Sequence, residues 1–254
     1  MKRGVLVISH GSRSKKWVSA VDTLLAQVRA NVPIEAGFLD MVEGRTVEAG
    51  LRRLEAAGVG EILAVPLFVS DGSTHVSEIR YALGLDRIAA VQTELKPIAV
   101  QARIVWSDPM NDHPLVYEIM RDRVRALSTQ PAEETLLLVA HGSEAAGFAE
   151  RWQHMLARLG ATLQDELGLR SAAYGTIHPD TVAYRARAAA EQGRLLVVPV
   201  FLSPGYYTEK AIPERLAEIP HRYDGSAYLP DPRVAHWIEA SIAGWLAAVH
   251  SHIQ

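Results

Sequence analysis

The chain has 254 residues, 48% of them hydrophobic and 22% charged, enough apolar material for one large domain or for two of about 125 residues. A formal net charge of −3, from 26 basic and 29 acidic residues, gives no electrostatic footprint for nucleic acid. The complete absence of cysteine excludes disulfides, thiolate nucleophiles and Cys-held iron–sulfur clusters, so any metal must be met by His, Asp, Glu, backbone carbonyls or water. No apolar run reaches the roughly 18 residues needed to span a bilayer. The start "MKRGVLVISHG" breaks into a turn too early for a signal peptide, so the sequence reads as soluble and cytoplasmic.

In chain order, "GVLVIS" (4–9) is a near-continuous apolar run and predicts a first strand that ends at His10 and Gly11. A helix follows near 14–30, with Trp17, Val21, Leu24, Leu25 and Val28 on one face. Strands near 34–39, 61–69 and 101–106 then alternate with helices near 45–57, 74–84 and 114–127. Strands this uniformly apolar belong to a parallel sheet covered on both faces. Their βαβαβαβα order implies right-handed crossovers and a small doubly wound sheet of order 2-1-3-4.

The second half repeats the first. "GVLVISHGS" (4–12) matches "TLLLVAHGS" (135–143), and "ILAVPLFVSDG" (62–72) matches "LLVVPVFLSPG" (195–205). "RTVEAGLRRLEAAG" (45–58) parallels "DTVAYRARAAAEQG" (180–193), and "SDPMNDHPLVYEI" (107–119) parallels "PDPRVAHWIEASI" (230–242). Trp237, Ile238, Ile242, Trp245 and Val249 give the last helix an apolar face. Four matches in the same order indicate a duplication. The expected fold class is therefore α/β, with two similar doubly wound domains, 1–129 and 130–254, joined near "STQPAEE" (128–134).

Strands 1 and 3 are neighbours in such a sheet, and ligands bind beyond their carboxyl ends at the switch point. His10 follows strand 1 and His75 lies in the loop after strand 3, so the two imidazoles are expected to face each other there. Neutral imidazoles suit borderline divalent metals, and two of them leave open coordination positions and a labile ion. Asp40, Glu43 and Glu78 are the nearest candidate carboxylate ligands. In the second copy His141 matches His10, whereas the place of His75 falls on Thr208; His178, aligned with Glu43, is the nearest substitute. His113 and His236 read as helix caps, and Ser12 and Ser70 as residues that bond backbone.

The set "ISHGSR", "VPLFVSDGSTHV", "FLD" (38–40) and "HP" (113–114) resembles the class II tetrapyrrole chelatases, above all the sirohydrochlorin chelatases of the CbiX/SirB family in their long two-domain form. The resemblance spans both repeats. It implies insertion of Co²⁺ or Fe²⁺ into sirohydrochlorin without ATP, in cobalamin or siroheme synthesis, with the ion as substrate and Ni²⁺ or Zn²⁺ accepted in vitro. His10 would be metal ligand and base, and His75 the second ligand. Arg13, Lys15, Arg45 and Arg80, with Ser12 and Gly72, would hold the carboxylate-bearing macrocycle. The first domain would carry the metal site and the second the other wall of a cleft, so that a monomer suffices and neither nucleic acid nor membrane is a partner. One departure is that Ser73 and Thr74 both separate Gly72 from His75, where the family often has a single residue. Two other readings remain: a non-catalytic metal or tetrapyrrole carrier, and a His-dependent phosphohydrolase, although Ser9 stands where that chemistry usually has arginine.

Overall fold

The computed structural model describes residues 1–12 and 14–250, so Arg13 lies outside the described residues, as does the side chain of Val249. The elements in chain order are β1 (Lys2–Ser9), α1 (Lys15–Gln27), β2 (Ile34–Phe38), α2 (Val47–Ala56), β3 (Val59–Pro66), α3 (Thr74–Ala82), β4 (Arg103–Trp106) and α4 (Pro114–Leu127). After a 3₁₀ turn the second series runs β5 (Glu134–Gly142), α5 (Phe148–Leu167), β6 (Ser171–His178), α6 (Val182–Ala190), β7 (Arg194–Val200), a π-helical turn (Tyr207–Ala211), α7 (Ile212–Leu216), β8 (His221–Tyr223) and α8 (Arg233–His250). The strands form two parallel sheets, of order β2-β1-β3-β4 and β6-β5-β7-β8. The fold is thus α/β with two doubly wound, four-stranded sheets, as the apolar runs imply.

The central strands are buried on both faces: Val5, Leu6, Val7 and Ile8 of β1 are each at most 1% exposed. One charged ladder crosses this sheet. Arg3, Glu61 and Arg103 lie opposite one another on β1, β3 and β4, and the buried Glu61 carboxylate accepts from both guanidiniums at 3.2 Å. The register also decides where the loops leave. Ser9 pairs with Phe38 and Ile8 with Pro66. The Leu39 N–H then donates to the Ser9 carbonyl at 3.1 Å and that of Leu67 to Ile8 at 2.7 Å. The segments after β1, β2 and β3 therefore emerge side by side. β3 stops at Pro66 rather than near 69, where the Phe68 N–H turns back onto the Pro66 carbonyl.

The chain divides into two compact units, and the division differs from the expected cut at 129/130. Unit 1 is Met1–Met110 with Val234–Gln254, and unit 2 is Asn111–Arg233. Each unit thus holds the final helix of the other repeat. In unit 2, α4 buries Val116, Ile119, Met120 and Val124, and packs on α5 and β7. Arg123 of α4 donates to Asp224 Oδ2 at 2.8 and 2.5 Å and to the Ser226 carbonyl at 2.7 Å. In unit 1, α8 buries Trp237, Ile238, Ile242 and Trp245; its Glu239 accepts from the Arg29 N–H at 2.7 Å, and Trp245 lies beneath the Arg3 guanidinium. The composition break at 128–134 is therefore a connection within unit 2 and not a boundary. Among the described residues no helix is long and apolar enough to cross a membrane.

Of the two expected histidine caps, His113 is one: its Nδ1 accepts from the Leu115 N–H at 3.2 Å, ahead of Pro114. His236 is not, because α8 already starts at Arg233, where Asp231 accepts the Arg233 N–H and leaves His236 exposed within the helix.

Candidate metal centre

The edge of unit 1 at which β1, β2 and β3 end gathers the residues that carry chemistry. His10 is the first residue after β1, and its carbonyl accepts from the Trp17 indole N–H at 2.8 Å, which fixes the turn into α1. Gly11 passes so close to Asp40 that a Cβ there would fall on the Asp40 carbonyl oxygen. Only glycine permits that approach. His75 is the second residue of α3. Before it, the buried Ser70 hydroxyl accepts from the Gly72 N–H at 3.0 Å and tightens the turn.

The rings of His10 and His75 meet with centroids 5.1 Å apart and planes tilted by 57°. A metal about 2.1 Å from a ring nitrogen lies about 3.2 Å from the ring centre, so two imidazoles sharing an ion at about 90–109° have centres about 4.5–5.2 Å apart. The observed separation falls within that range. His75 Nδ1 is 2.7 Å from Glu78 Oε2, and the Thr93 hydroxyl donates to the other carboxylate oxygen at 2.8 Å. An ionised carboxylate only accepts, so Nδ1 carries the hydrogen and Nε2 presents its lone pair. Phe68, 8% exposed, stands 6.2 Å from the His75 ring and forms an apolar side of the site.

The remaining expected site residues fall elsewhere. Glu78 stands behind His75, bonded to the nitrogen that cannot then ligate, and Asp40 and Glu43 occupy the loop after β2. Among the described residues no three His, Asp or Glu side chains are grouped to hold a metal ion, so these carboxylates do not complete a cage with the two histidines. Arg45 is taken by Asp22 through bonds of 2.9 and 2.6 Å and lies over Phe38. Arg80 is taken by Asp86 at 2.8 Å twice and lies over Trp106. These bonds raise both guanidinium pKa values, and the Arg80 bonds hold the Asp86 carboxyl below its usual range. Neither arginine is presented to a ligand as the expected anion clamp. The Ser12 hydroxyl accepts from the Ser14 N–H at 3.0 Å.

In unit 2 the counterpart of His75 is absent, as read from the sequence: Thr208 is buried and bonds Gly205 within its own loop. His178 does not take the place of Glu43. It ends β6 opposite Gly142, and a Cβ at Gly142 would meet the His178 carbonyl just as one at Gly11 would meet that of Asp40. Counting residues back from the helix hides this; counting the strand register shows it. Trp17 and Thr93 were also missed, because a helix tryptophan reads as core and a loop threonine carries no signal.

The CbiX family model matches residues 4–127 and again 135–243, once per repeat. A sirohydrochlorin cobaltochelatase of Methanothermobacter thermautotrophicus is 31% identical over 134 residues, 49% of this chain and 92% of that protein. A sirohydrochlorin cobaltochelatase of Methanopyrus kandleri is 27% identical over 135 residues, 48% of this chain and 94% of that one. Among solved structures, SirB from Bacillus subtilis with Fe³⁺ superposes with a TM-score of 0.72 at 18% identity, covering 96% of this chain and 95% of that one. CbiX, the terminal enzyme for siroheme biosynthesis in denitrifying bacteria, superposes with a TM-score of 0.63 at 22% identity, covering 95% and 99%. At such identities the two superpositions speak for the fold.

Proposed function

The chain belongs to the CbiX family, and from that premise we propose that it is a class II chelatase, which inserts Co²⁺ or Fe²⁺ into sirohydrochlorin without ATP, for cobalamin or siroheme synthesis. The observation that carries this reading is the pair His10–His75, spaced to share one ion and backed on one side by Glu78.

The net reaction takes a divalent cation and a macrocycle bearing two pyrrolic N–H groups to the metal complex and two protons. Two imidazoles at neighbouring positions hold the ion while the rest of its coordination sphere stays with water, so ring nitrogens enter by displacing solvent. As the ion passes to the macrocycle, His10 and His75 lose it and regain lone pairs that accept the released protons. The Glu78 carboxylate stabilises His75 when that ring becomes cationic. Ion transfer and proton removal are thereby performed by the same two side chains. Because Arg45 and Arg80 are satisfied internally, they bind peripheral carboxylates of the substrate only by exchanging partners. We further read the protein as a cytoplasmic monomer, which sedimentation at working concentration checks.

Catalytic amounts of protein mixed with sirohydrochlorin and Co²⁺ or Fe²⁺ should accelerate the change in the visible spectrum through many turnovers. No acceleration over the spontaneous rate with any divalent metal would sink the proposal. A carrier would stop at one equivalent of product per protein.

A further inference from the structure

The helix that bears His75 is followed by very different connections in the two repeats. In the second repeat only residues 217–220 separate α7 from β8, whereas in the first residues 83–102 run between α3 and β4 without helix or strand. A connection of that length inside a compact unit is uncommon and usually functional. Here it is tied down along its course. The Ala90 N–H donates to the buried Ser77 hydroxyl at 3.2 Å, the Ile98 N–H to the Ala82 carbonyl at 2.8 Å, and Leu85, Ile98 and Val100 pack on the core. The segment thus lies as a strap along α3. The repeat with the short connection has Thr208 in place of His75, so strap and ligand occur together.

Thr93 is where the strap meets the site. Its hydroxyl oxygen accepts from the Leu95 N–H at 3.2 Å, and its hydrogen is donated to Glu78 Oε1 at 2.8 Å. The other oxygen of the same carboxylate, Oε2, stands 2.7 Å from His75 Nδ1. Both oxygens of Glu78 are thereby engaged, and its side chain is only 16% exposed. A glutamate three residues along a helix from a histidine has other rotamers, which turn it to solvent or toward an ion held by that histidine. The bond from Thr93 selects the one that lies behind the ring.

We propose that Thr93 is a positioning residue for the metal centre: through Glu78 it fixes the His75 ring with Nε2 facing the ion, and it keeps the carboxylate out of the coordination sphere. An imidazole backed by an oriented carboxylate is the stronger donor, so the ion is collected more tightly. With Glu78 held back, two imidazoles and water complete the sphere, and the positions that the macrocycle must enter stay open. The strap therefore serves both halves of the transfer without touching the ion. This inference rests on the reading of His10 and His75 as a pair that shares one ion.

Calorimetric titration of the full chain with CoCl₂, without tetrapyrrole, reads the effect directly. Thr93→Val, which keeps the shape and removes the hydroxyl, should weaken Co²⁺ binding about tenfold, the low end of an outer-shell effect. Thr93→Ser, which keeps the hydroxyl, should recover most of that loss. In a Glu78→Ala protein the further change Thr93→Val should weaken binding no more, because the threonine acts through that carboxylate. In sirohydrochlorin metallation, Thr93→Val should lower kcat about tenfold and leave KM for the tetrapyrrole unchanged. A threonine that only braces the fold would lower the urea midpoint and weaken binding equally with and without Glu78. Unchanged or tighter Co²⁺ binding in Thr93→Val, or equal losses in the two backgrounds, would overturn the positioning role and leave the histidine pair standing. Co²⁺ binding that is absent from the full chain, or unchanged by His75→Ala, would instead overturn the shared-ion reading, and this inference with it.

Discussion

Gly11 is the narrowest point of the site, because its α-carbon lies against the Asp40 carbonyl and next to His10. Gly11→Ala forces that backbone apart and should cost about 1–3 kcal/mol, read from urea unfolding, together with a loss of turnover as His10 moves from His75. His10→Ala and His75→Ala should each abolish most sirohydrochlorin metallation, while His141→Ala retains most of it; equal losses in all three would refute the asymmetry of the two repeats. Glu78→Gln keeps an acceptor for His75 Nδ1 but removes the charge, and should lower metal affinity or turnover by about 10- to 100-fold. His10 and His75 were legible in the sequence because a parallel sheet fixes which strand ends are neighbours. The role of Glu78 was not, since its spacing of three from His75 on one helix fits a ligand as well as a supporting carboxylate. Arg45 and Arg80 misled because Asp22 and Asp86, which satisfy them, are brought near only by the turns of the fold.

Strands and helices of the first repeat were legible almost to their ends, because continuous apolar runs and amphipathic stripes report burial directly. The partner of each helix was not. α4 and α8 both carry an apolar stripe that would cover either sheet, and polar partners such as Arg123 with its acceptors Asp224 and Ser226, and Glu239 accepting from the Arg29 N–H, mark the choice. Arg123 and Asp224 have side chains only 10% and 15% exposed. Arg123→Ala leaves that carboxylate without its cation and should cost about 3–5 kcal/mol in thermal or urea unfolding, felt in unit 2. The cap of α4 adds a pH dependence. Burial lowers the pKa of His113, and its Nδ1 must stay unprotonated to accept the Leu115 N–H. A histidine with a depressed native pKa stabilises the fold above its unfolded value, near 6.5, and loses that contribution as the pH falls through the native value. Amide exchange at Leu115 should therefore quicken as pH drops below about 6.5, beyond the intrinsic trend, and His113→Asn, which caps without titrating, should flatten the response.

At the scale of the molecule the duplication was plain in four ordered sequence matches, but the unit boundaries were not, since the exchange of α4 and α8 leaves no mark in composition. Deleting α8 is the clearest check. Although this removes residues more than 220 positions from His10, unit 1 should lose stability and its Co²⁺ site should weaken, while amide protection of unit 2 stays near that of the whole chain.

The same exchange sets a calendar for synthesis. Unit 2 is one uninterrupted stretch, Asn111–Arg233, complete in sequence before Val234 and the rest of unit 1 are made. Unit 1 must wait: β1 leaves the ribosome well ahead of α8, and the bond from Arg29 to Glu239 spans 210 residues. The half bearing His10 and His75 is thus the later to close, at the entropic cost of a long loop. Until then an apolar sheet face that α8 will cover stays open, and a stalled or prematurely ended chain would expose it.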